Sequence, residues 1–332
     1  MSRRRSSAAA AALLVVALGT GCGGSAGPPG QEPAVPATAP ALTATPAGTV
    51  VDVPRLAGGL VADQRTGLVV VGTHDPGRLL LLDGRTGAVV SRLPLQGNPG
   101  QLALAAAGGP LLVPTQDADG LLQIALPSGD LVSRTAAGSA PATAAAAAGR
   151  LLAAGARSGA VAVIDSERLV GTLSGFGLPA AMSPVGNQVA VLDSRTGDLD
   201  VYDPTTLRKT ASAPAGERPT HLVTDRRDRL VVVDTGGNQL VIFQTLPRLT
   251  LSQRLPLPGT PYAVAYDPAR DIAWVTLTAT NEVAGVDLGD PALRVVARLP
   301  TVRQPDAVAV DPGTGRVFVA SPALGQLQLV DP

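Results

Sequence analysis

An all-β chain folded as a seven-bladed β-propeller is predicted by three observations. Short alternating apolar runs recur along the chain, divided by clusters of Asp, Pro and Gly, which is the signature of strands and tight turns. A proline opens six successive units at Pro99, Pro141, Pro179, Pro219, Pro261 and Pro305, with spacings of 42, 38, 40, 42 and 44 residues. That period is the length of a four-stranded blade. The opening strands can be read in register seven times, at residues 60–63, 102–105, 144–147, 182–185, 222–225, 264–267 and 308–311. Seven openings imply seven blades.

Each remaining strand follows in turn. Second strands are expected at 68–72, 110–113, 150–154, 188–192, 229–233, 271–275 and 316–320, and third strands at 78–82, 121–125, 160–164, 198–202, 239–243, 282–286 and 326–330. Third strands often end in Asp, as at Asp83, Asp165, Asp203, Asp287 and Asp331. Such an Asp can accept from its own backbone two residues on and start the turn. Fourth strands are expected at 88–93, 130–135, 169–173, 209–213, 249–255 and 293–299, and the seventh unit stops after its third strand. The partnerless strand at 50–53 is expected to complete it, which closes the ring and removes free sheet edges.

Composition narrows the function. Apolar residues make up 45% of the 332-residue chain while Phe, Trp and Tyr together are 2%, so the core must be built from Val, Leu and Ala. Few aromatics argue against sugar platforms and single-strand nucleic-acid binding, which stack rings. Lys plus Arg equals Asp plus Glu at 26 each, so no basic field attracts phosphate backbones, and nucleic acid is discounted as a partner.

Three segments precede or form the ring: 1–22, 23–48 and 49–332. Arg3, Arg4 and Arg5 form a positive n-region, an apolar run spans residues 8–18, and Gly19, Thr20 and Gly21 lead into Cys22, the sole cysteine. Eleven apolar residues are too few to span a bilayer core of about 30 Å, so the segment reads as an export signal. The run Leu18-Gly-Thr-Gly-Cys22 resembles a bacterial lipobox, with Gly19 where Leu is usual. The resemblance implies acylation of Cys22, cleavage before it, and anchorage to the outer face of the cytoplasmic membrane. Residues 23–48 are Gly, Pro, Ala, Ser and Thr with a single charge, Glu32, and are expected to be a disordered tether.

The unit PDAVAVDPGTGRVFVASPALGQLQLVD from Pro305 resembles the bacterial YVTN-type propeller repeat, and the likeness extends over about residues 49–332. It departs from the namesake motif, keeping only Trp274-Val-Thr-Leu277 and Val317-Phe-Val-Ala-Ser321. The resemblance implies an exported or surface protein with a binding or scaffolding role. Related propellers include lactonases and quinone-dependent dehydrogenases, so fold alone assigns no activity.

In a propeller, functional side chains gather where each fourth strand hands over to the next first strand, around the mouth of the central channel. The residues after the unit prolines belong there, which nominates Gln101, Thr143, His221, Tyr262 and Asp306 as binding candidates. Loops between second and third strands share that face and carry His74, Asp75, Gln116, Asn238 and Asn281. Two histidines alone fall short of the three protein ligands a catalytic zinc site normally takes, and although carboxylates could contribute, no metal-binding spacing is present. Asp117-Ala-Asp-Gly120 begins like a calcium loop but lacks the later carboxylates, and reads as a hairpin turn. Thr235-Gly-Gly-Asn238 has no following helix with which to cradle phosphate, and no G-x-S-x-G occurs. The expectation is therefore a monomeric, lipid-tethered binding or scaffold module without cofactor, metal or catalysis, engaging an envelope protein or small ligand at the propeller face. The alternatives are an exported lactonase- or lyase-type enzyme using His221 or His74 with a divalent cation, and a purely structural envelope protein.

Overall fold

In the computed structural model, residues 31–332 are described, apart from 139, 290 and 291. The signal segment, Cys22 and residues 23–30 of the expected tether lie outside them. Seven sheets of four antiparallel strands make up the ring. Blade 1 is β2 (Leu56–Asp63), β3 (Leu68–Thr73), β4 (Arg78–Asp83) and β5 (Val89–Pro94). Blade 2 is β6 (Ala103–Leu104), β7 (Leu111–Thr115), β8 (Gly120–Ile124) and β9 (Leu131–Ala136). Blade 3 runs from β10 (Pro141–Ala147) through β11 (Arg150–Gly155) and β12 (Ala160–Asp165) to β13 (Arg168–Ser174). Blade 4 comprises β14 (Pro179–Val185), β15 (Gln188–Asp193), β16 (Asp198–Asp203) and β17 (Arg208–Pro214). In blade 5 they are β18 (Pro219–Thr224), β19 (Leu230–Asp234), β20 (Gln239–Gln244) and β21 (Thr250–Pro256). Blade 6 holds β22 (Pro261–Asp267), β23 (Ile272–Leu277), β24 (Glu282–Asp287) and β25 (Arg294–Pro300). Blade 7 is β26 (Ala307–Val310), β27 (Val317–Ser321) and β28 (Gln326–Val330), completed by β1 (Thr49–Asp52).

The burial of each strand follows its place in the blade. Middle strands such as β3 and β19 are buried along their whole length, because both faces meet neighbouring blades. Outer strands alternate, as in β5 and β17, where only one face is covered. A separate apolar cluster fills each of the seven blade-to-blade interfaces. The Ala-rich third unit contributes Ala144, Ala153 and Ala162 on one side and Ala145 and Ala154 on the other, so small side chains let the sheets approach. Trp274 is the largest buried side chain and lies opposite Gly285 across the β23–β24 pair. A Cβ at Gly285 would come within 2.9 Å of its ring, so this position must lack a side chain.

Closure occurs where the sequence places it. Thr49, Val50, Val51 and Asp52 pair with Leu329, Gln328, Leu327 and Gln326. Gly48 enters the strand at φ +71°, with a would-be Cβ 2.1 Å from the Leu329 carbonyl oxygen, so only glycine fits there. The seam is reinforced by Gln328, which is fully buried. Its Oε1 accepts from the Val302 amide at 2.9 Å, and its Nε2 donates to the carbonyls of Ala47 at 2.7 Å and Pro300 at 3.0 Å. Arg316 adds a fork to Asp331 at 2.6 Å and reaches the Arg85 carbonyl of blade 1 at 2.7 Å.

From Gln31 on, the expected free tether instead lies against the mouth-side loops. Gln31 donates to the Arg195 carbonyl at 2.8 Å, Ala37 to Thr278 Oγ1 at 3.0 Å and Ala47 to the Pro300 carbonyl at 2.9 Å, while Asn281 Nδ2 donates to Pro40 at 3.1 Å. Ala34 and Ala39 are buried. Low apolar content fails to predict this because the segment docks through its backbone, and its acceptors and donors belong to loops of distant blades. The turn-starting role of third-strand Asp residues holds at Asp83, Asp203 and Asp287, whose carboxylates accept from amides two residues on. Asp165 and Asp331 pair with Arg150 and Arg316 instead.

Deleting residues 49–54 is expected to lower the melting temperature of the whole ring rather than of one blade, read as a single shifted transition by calorimetry. Replacing Gln328 by Leu leaves buried backbone groups unpaired at the seam and is expected to cost about 2–4 kcal/mol in chemical denaturation.

Candidate functional site

The seven first strands converge on the axis, and their N-terminal ends form the channel mouth. In β2, β10, β14, β18 and β22 the pairing with the second strand slips at this end, between Leu56 and Leu60, Pro141 and Thr143, Pro179 and Ala181, Pro219 and His221, and Pro261 and Val264. An extra residue in one strand of a pair turns the following side chain. The residue two after each unit proline lines the lumen, in the slipped strands and in blades 2 and 7 alike. The waist is a cavity of about 180 Å³ bordered by residues of all seven blades. At its upper tier the small residues Gly58, Ala181, Ala263 and Ala307 stand with the polar Gln101, Thr143 and His221. Leu60, Met182, Leu222, Val264 and Val308 supply apolar surface to the same channel.

Gln101 and His221 meet across the lumen, with Gln101 Nε2 3.3 Å from His221 Nε2. The amide nitrogen can only donate, so His221 Nε2 accepts and the ring proton resides on Nδ1. His221 Nδ1 is buried with no hydrogen-bond partner. Burial drives the imidazole pKa down to about 4, a contact with the Tyr262 backbone opposing, so the ring is neutral at pH 7. The His221 and Tyr262 rings meet edge to face, with centroids 5.0 Å apart and planes at 67°. Burial also raises the Tyr262 phenol, and the Asp306 charge adds to that rise. Asp306 is pushed up to about 6 by burial, a hydrogen bond with Gln304 opposing, and its Oδ1 is buried without a partner.

Of the five residues nominated from sequence, three border the channel cavity, while Tyr262 and Asp306, one position after their prolines, border neither it nor the vestibule. The three are Gln101, Thr143 and His221, and Tyr262 meets the last through its ring contact. His74 sits farther out on the β3–β4 loop, exposed, with Nδ1 3.1 Å from Asp75 Oδ2. It borders a shallow vestibule of about 450 Å³ with Asn98, Gln116 and Gln101, and Gln101 and Gly58 are shared with the waist. Among the described residues no three His, Cys, Asp or Glu side chains gather as a metal-binding group. Asp117 accepts from Asn98, and Asp119 Oδ1 from the Ala140 amide at 2.8 Å, so both carboxylates serve loop geometry.

Sequence reasoning missed the supports beneath the mouth. The Asp193 carboxylate accepts from the amides of Leu178 and Arg195, and Asp234 from those of Glu217, Arg218 and Gly237. Each thus pins the incoming segment to the second-to-third-strand loop. The hydroxyls of Thr220 and Thr235, 2.9 Å apart, reach the carbonyls of Tyr262 at 2.8 Å and Pro261 at 2.7 Å. This fastens blade 6 to blade 5 next to His221. A buried Asp ending a second strand was the available signal.

No protein-family model matches the chain, and no curated protein matches it by sequence. Solved structures do. Hydrazine synthase of Kuenenia stuttgartiensis superposes with a TM-score of 0.72 at 15% identity, covering 88% of this chain and 99% of that one. A chain of the mitotic checkpoint complex gives a TM-score of 0.75 at 13% identity, covering 91% and 98%. The Cps50 (Swd1) β-propeller domain of Myceliophteria thermophila gives 0.70 at 14% identity, covering 85% and 99%. At these identities the likeness is one of fold. The protein is a seven-bladed β-propeller with a mixed polar channel mouth.

Two pH effects of opposite sign follow. His221 has a folded pKa below its unfolded one, so the unfolded chain takes up the proton first and stability falls as pH drops from about 6.5 to about 4. His221→Gln is expected to remove that part of the slope in denaturation at pH 7 and pH 4.5. Asp306 has a raised folded pKa, so its contribution is lost as pH rises from 3.8 to about 6. Asp306→Asn is expected to be more stable than wild type at pH 7, on the order of 1 kcal/mol after allowing for solvent screening at this partly open site.

Proposed function

We propose that this chain is an exported binding module of the YVTN-type propeller class, anchored outside the cytoplasmic membrane through an acylated Cys22 and engaging its partner at the channel mouth without catalysis. The observation that carries the reading is the convergence of Gln101, Thr143 and His221 on one opening, with Tyr262 stacked edge-on against His221 and the buried His221 Nδ1 left unpaired there. Buried unpartnered polar atoms are costly and point to an interaction that satisfies them. The anchor is supported by the n-region, the short apolar run and the lipobox-like residues before Cys22. A similar ring in the mitotic checkpoint complex shows this fold as a member of a multiprotein assembly, which fits a scaffolding role.

Cross-linked capture from intact membranes tests the mouth. A stoichiometric partner is expected with wild type and lost with His221→Ala combined with Tyr262→Ala; equal capture by the variant would remove the mouth from the interaction. The anchor is checked separately. Cys22→Ser is expected to move the protein from the membrane fraction to the soluble exported fraction, and retention in the membrane would exclude acylation as the tether.

A further inference from the structure

The segment that leads into β1 carries a threefold pattern. No residue of 31–42 belongs to a helix or strand, and Glu32, Val35, Thr38 and Ala41, at every third position, are exposed. A second stripe, Gln31, Ala34, Ala37 and Pro40, is turned to the ring. Within it the amides of Gln31 and Ala37 and the carbonyl of Pro40 are hydrogen-bonded, and Ala34 is buried. With Pro33, Pro36 and Pro40 in the run, this is the period of a polyproline II helix, about three residues per turn. Such a helix has no internal hydrogen bonds, so its amides and carbonyls are open to a neighbour.

The ring answers with groups from loops two blades apart. In the β15–β16 loop the Arg195 carbonyl accepts from the Gln31 amide at 2.8 Å. In the β23–β24 loop Thr278 Oγ1 accepts from the Ala37 amide at 3.0 Å, and Asn281 Nδ2 donates to the Pro40 carbonyl at 3.1 Å. Ala34 and Ala39 fill the buried seats between these contacts. Thr278 is fully buried and Asn281 nearly so, so an empty groove would leave polar groups that the strap now satisfies. The strap itself is lightly held. Among the described residues three hydrogen bonds secure 31–41, and Val35 stays 73% exposed. Ring closure does not use this stretch, because the seam contacts begin at Ala47 and continue through β1.

We propose that the groove over blades 4 to 6 is a binding site for an extended proline- and alanine-rich segment of another protein, and that residues 31–41 are a tethered competitor for it. The occupant seen in cis defines the chemistry of the occupant in trans: a polyproline II backbone read by Arg195, Thr278 and Asn281, with alanines at the buried seats. Arg195, Thr278 and Asn281 border neither the waist nor the vestibule, so the site is separate from the channel mouth and does not depend on the reading given to it.

The test is fluorescence anisotropy with a labelled peptide of residues 31–41. It is titrated with the purified chain from residue 23 and with the same chain lacking 31–41. Saturable one-to-one binding is expected with the deleted form, and at least about tenfold weaker binding with the intact chain, whose own strap competes at a millimolar effective concentration. A full-length form carrying Ala34→Glu and Ala39→Glu, which cannot seat its strap, is expected to bind as the deleted form does, and it serves should the deletion not fold. Asn281→Asp in either released form keeps the acceptor for the Gln304 amide and a residue type that tolerates φ +55°, but removes the donor to Pro40. It is expected to weaken the peptide about tenfold. Replacing Pro33 and Pro36 of the peptide by Gly is expected to weaken it about 3- to 10-fold by loosening the free chain. Melting curves establish that each form is folded. Absence of saturation at millimolar peptide in both released forms, equal affinity of intact and released chains, or unchanged affinity in Asn281→Asp overturns the proposal. Light scattering supplies the remaining outcome: an intact dimer that becomes monomeric without 31–41 would put a second copy's strap in the groove and overturn the role of competitor.

Discussion

Everything in this protein depends on closing the ring. A single four-stranded sheet of Val, Leu and Ala cannot bury both of its faces, and each blade here has its two faces covered only by the blades on either side. An open array would leave two apolar faces in water at its ends. The chain avoids this by lending β1 to the last blade, and Gln328 joins residues from the start and end of the ring through three hydrogen bonds in a fully buried position. A buried amide serves well here because its two donors and its acceptor match three backbone groups at the seam.

The channel mouth is a by-product of that closure. Seven first strands directed at one axis bring residues of distant blades into contact, as Gln101 and His221, 120 positions apart in sequence, show across the lumen. Five of these strands slip against their second strand at this end, and slipped and regular strands alike turn the residue two after the unit proline inward. Small residues on four blades then leave room for polar ones on three. The ring tolerates groups there that lower its stability, because the seven apolar interfaces extend well beyond the axis and bury most of their area away from it. His221 Nδ1 is such a group. Sites of interaction commonly carry this kind of cost.

The segment from Gln31 to Ala47 leads into this architecture. It carries almost no apolar side chains of size, yet it is held through its backbone by loops of blades 4 and 6 before entering β1. The mouth-side face is therefore partly occupied by the protein's own chain. Any partner approaching that face meets Asn281, Thr278 and Arg195 already engaged with this segment.

Much of this was legible in the order of residues. Alternating apolar runs with Asp, Pro and Gly between them determine strands and turns locally, and a period near forty determines how many strands make a blade. The absent last strand and the orphan at 50–53 together determined closure, since a strand with no partner and a blade lacking a strand can satisfy only each other. The proline register also pointed to Gln101, Thr143 and His221, which border the channel. What lay beyond reach was contact between units: the Gln328 clasp, the Asp193 and Asp234 supports, the docking of residues 31–47, and the pairing of Gln101 with His221. Local patterns fix the backbone within a unit, whereas these contacts depend on the angle and stagger between blades, which only the packed ring decides. For the same reason the environments of His221 and Asp306, both shifted by burial, came from tertiary structure alone.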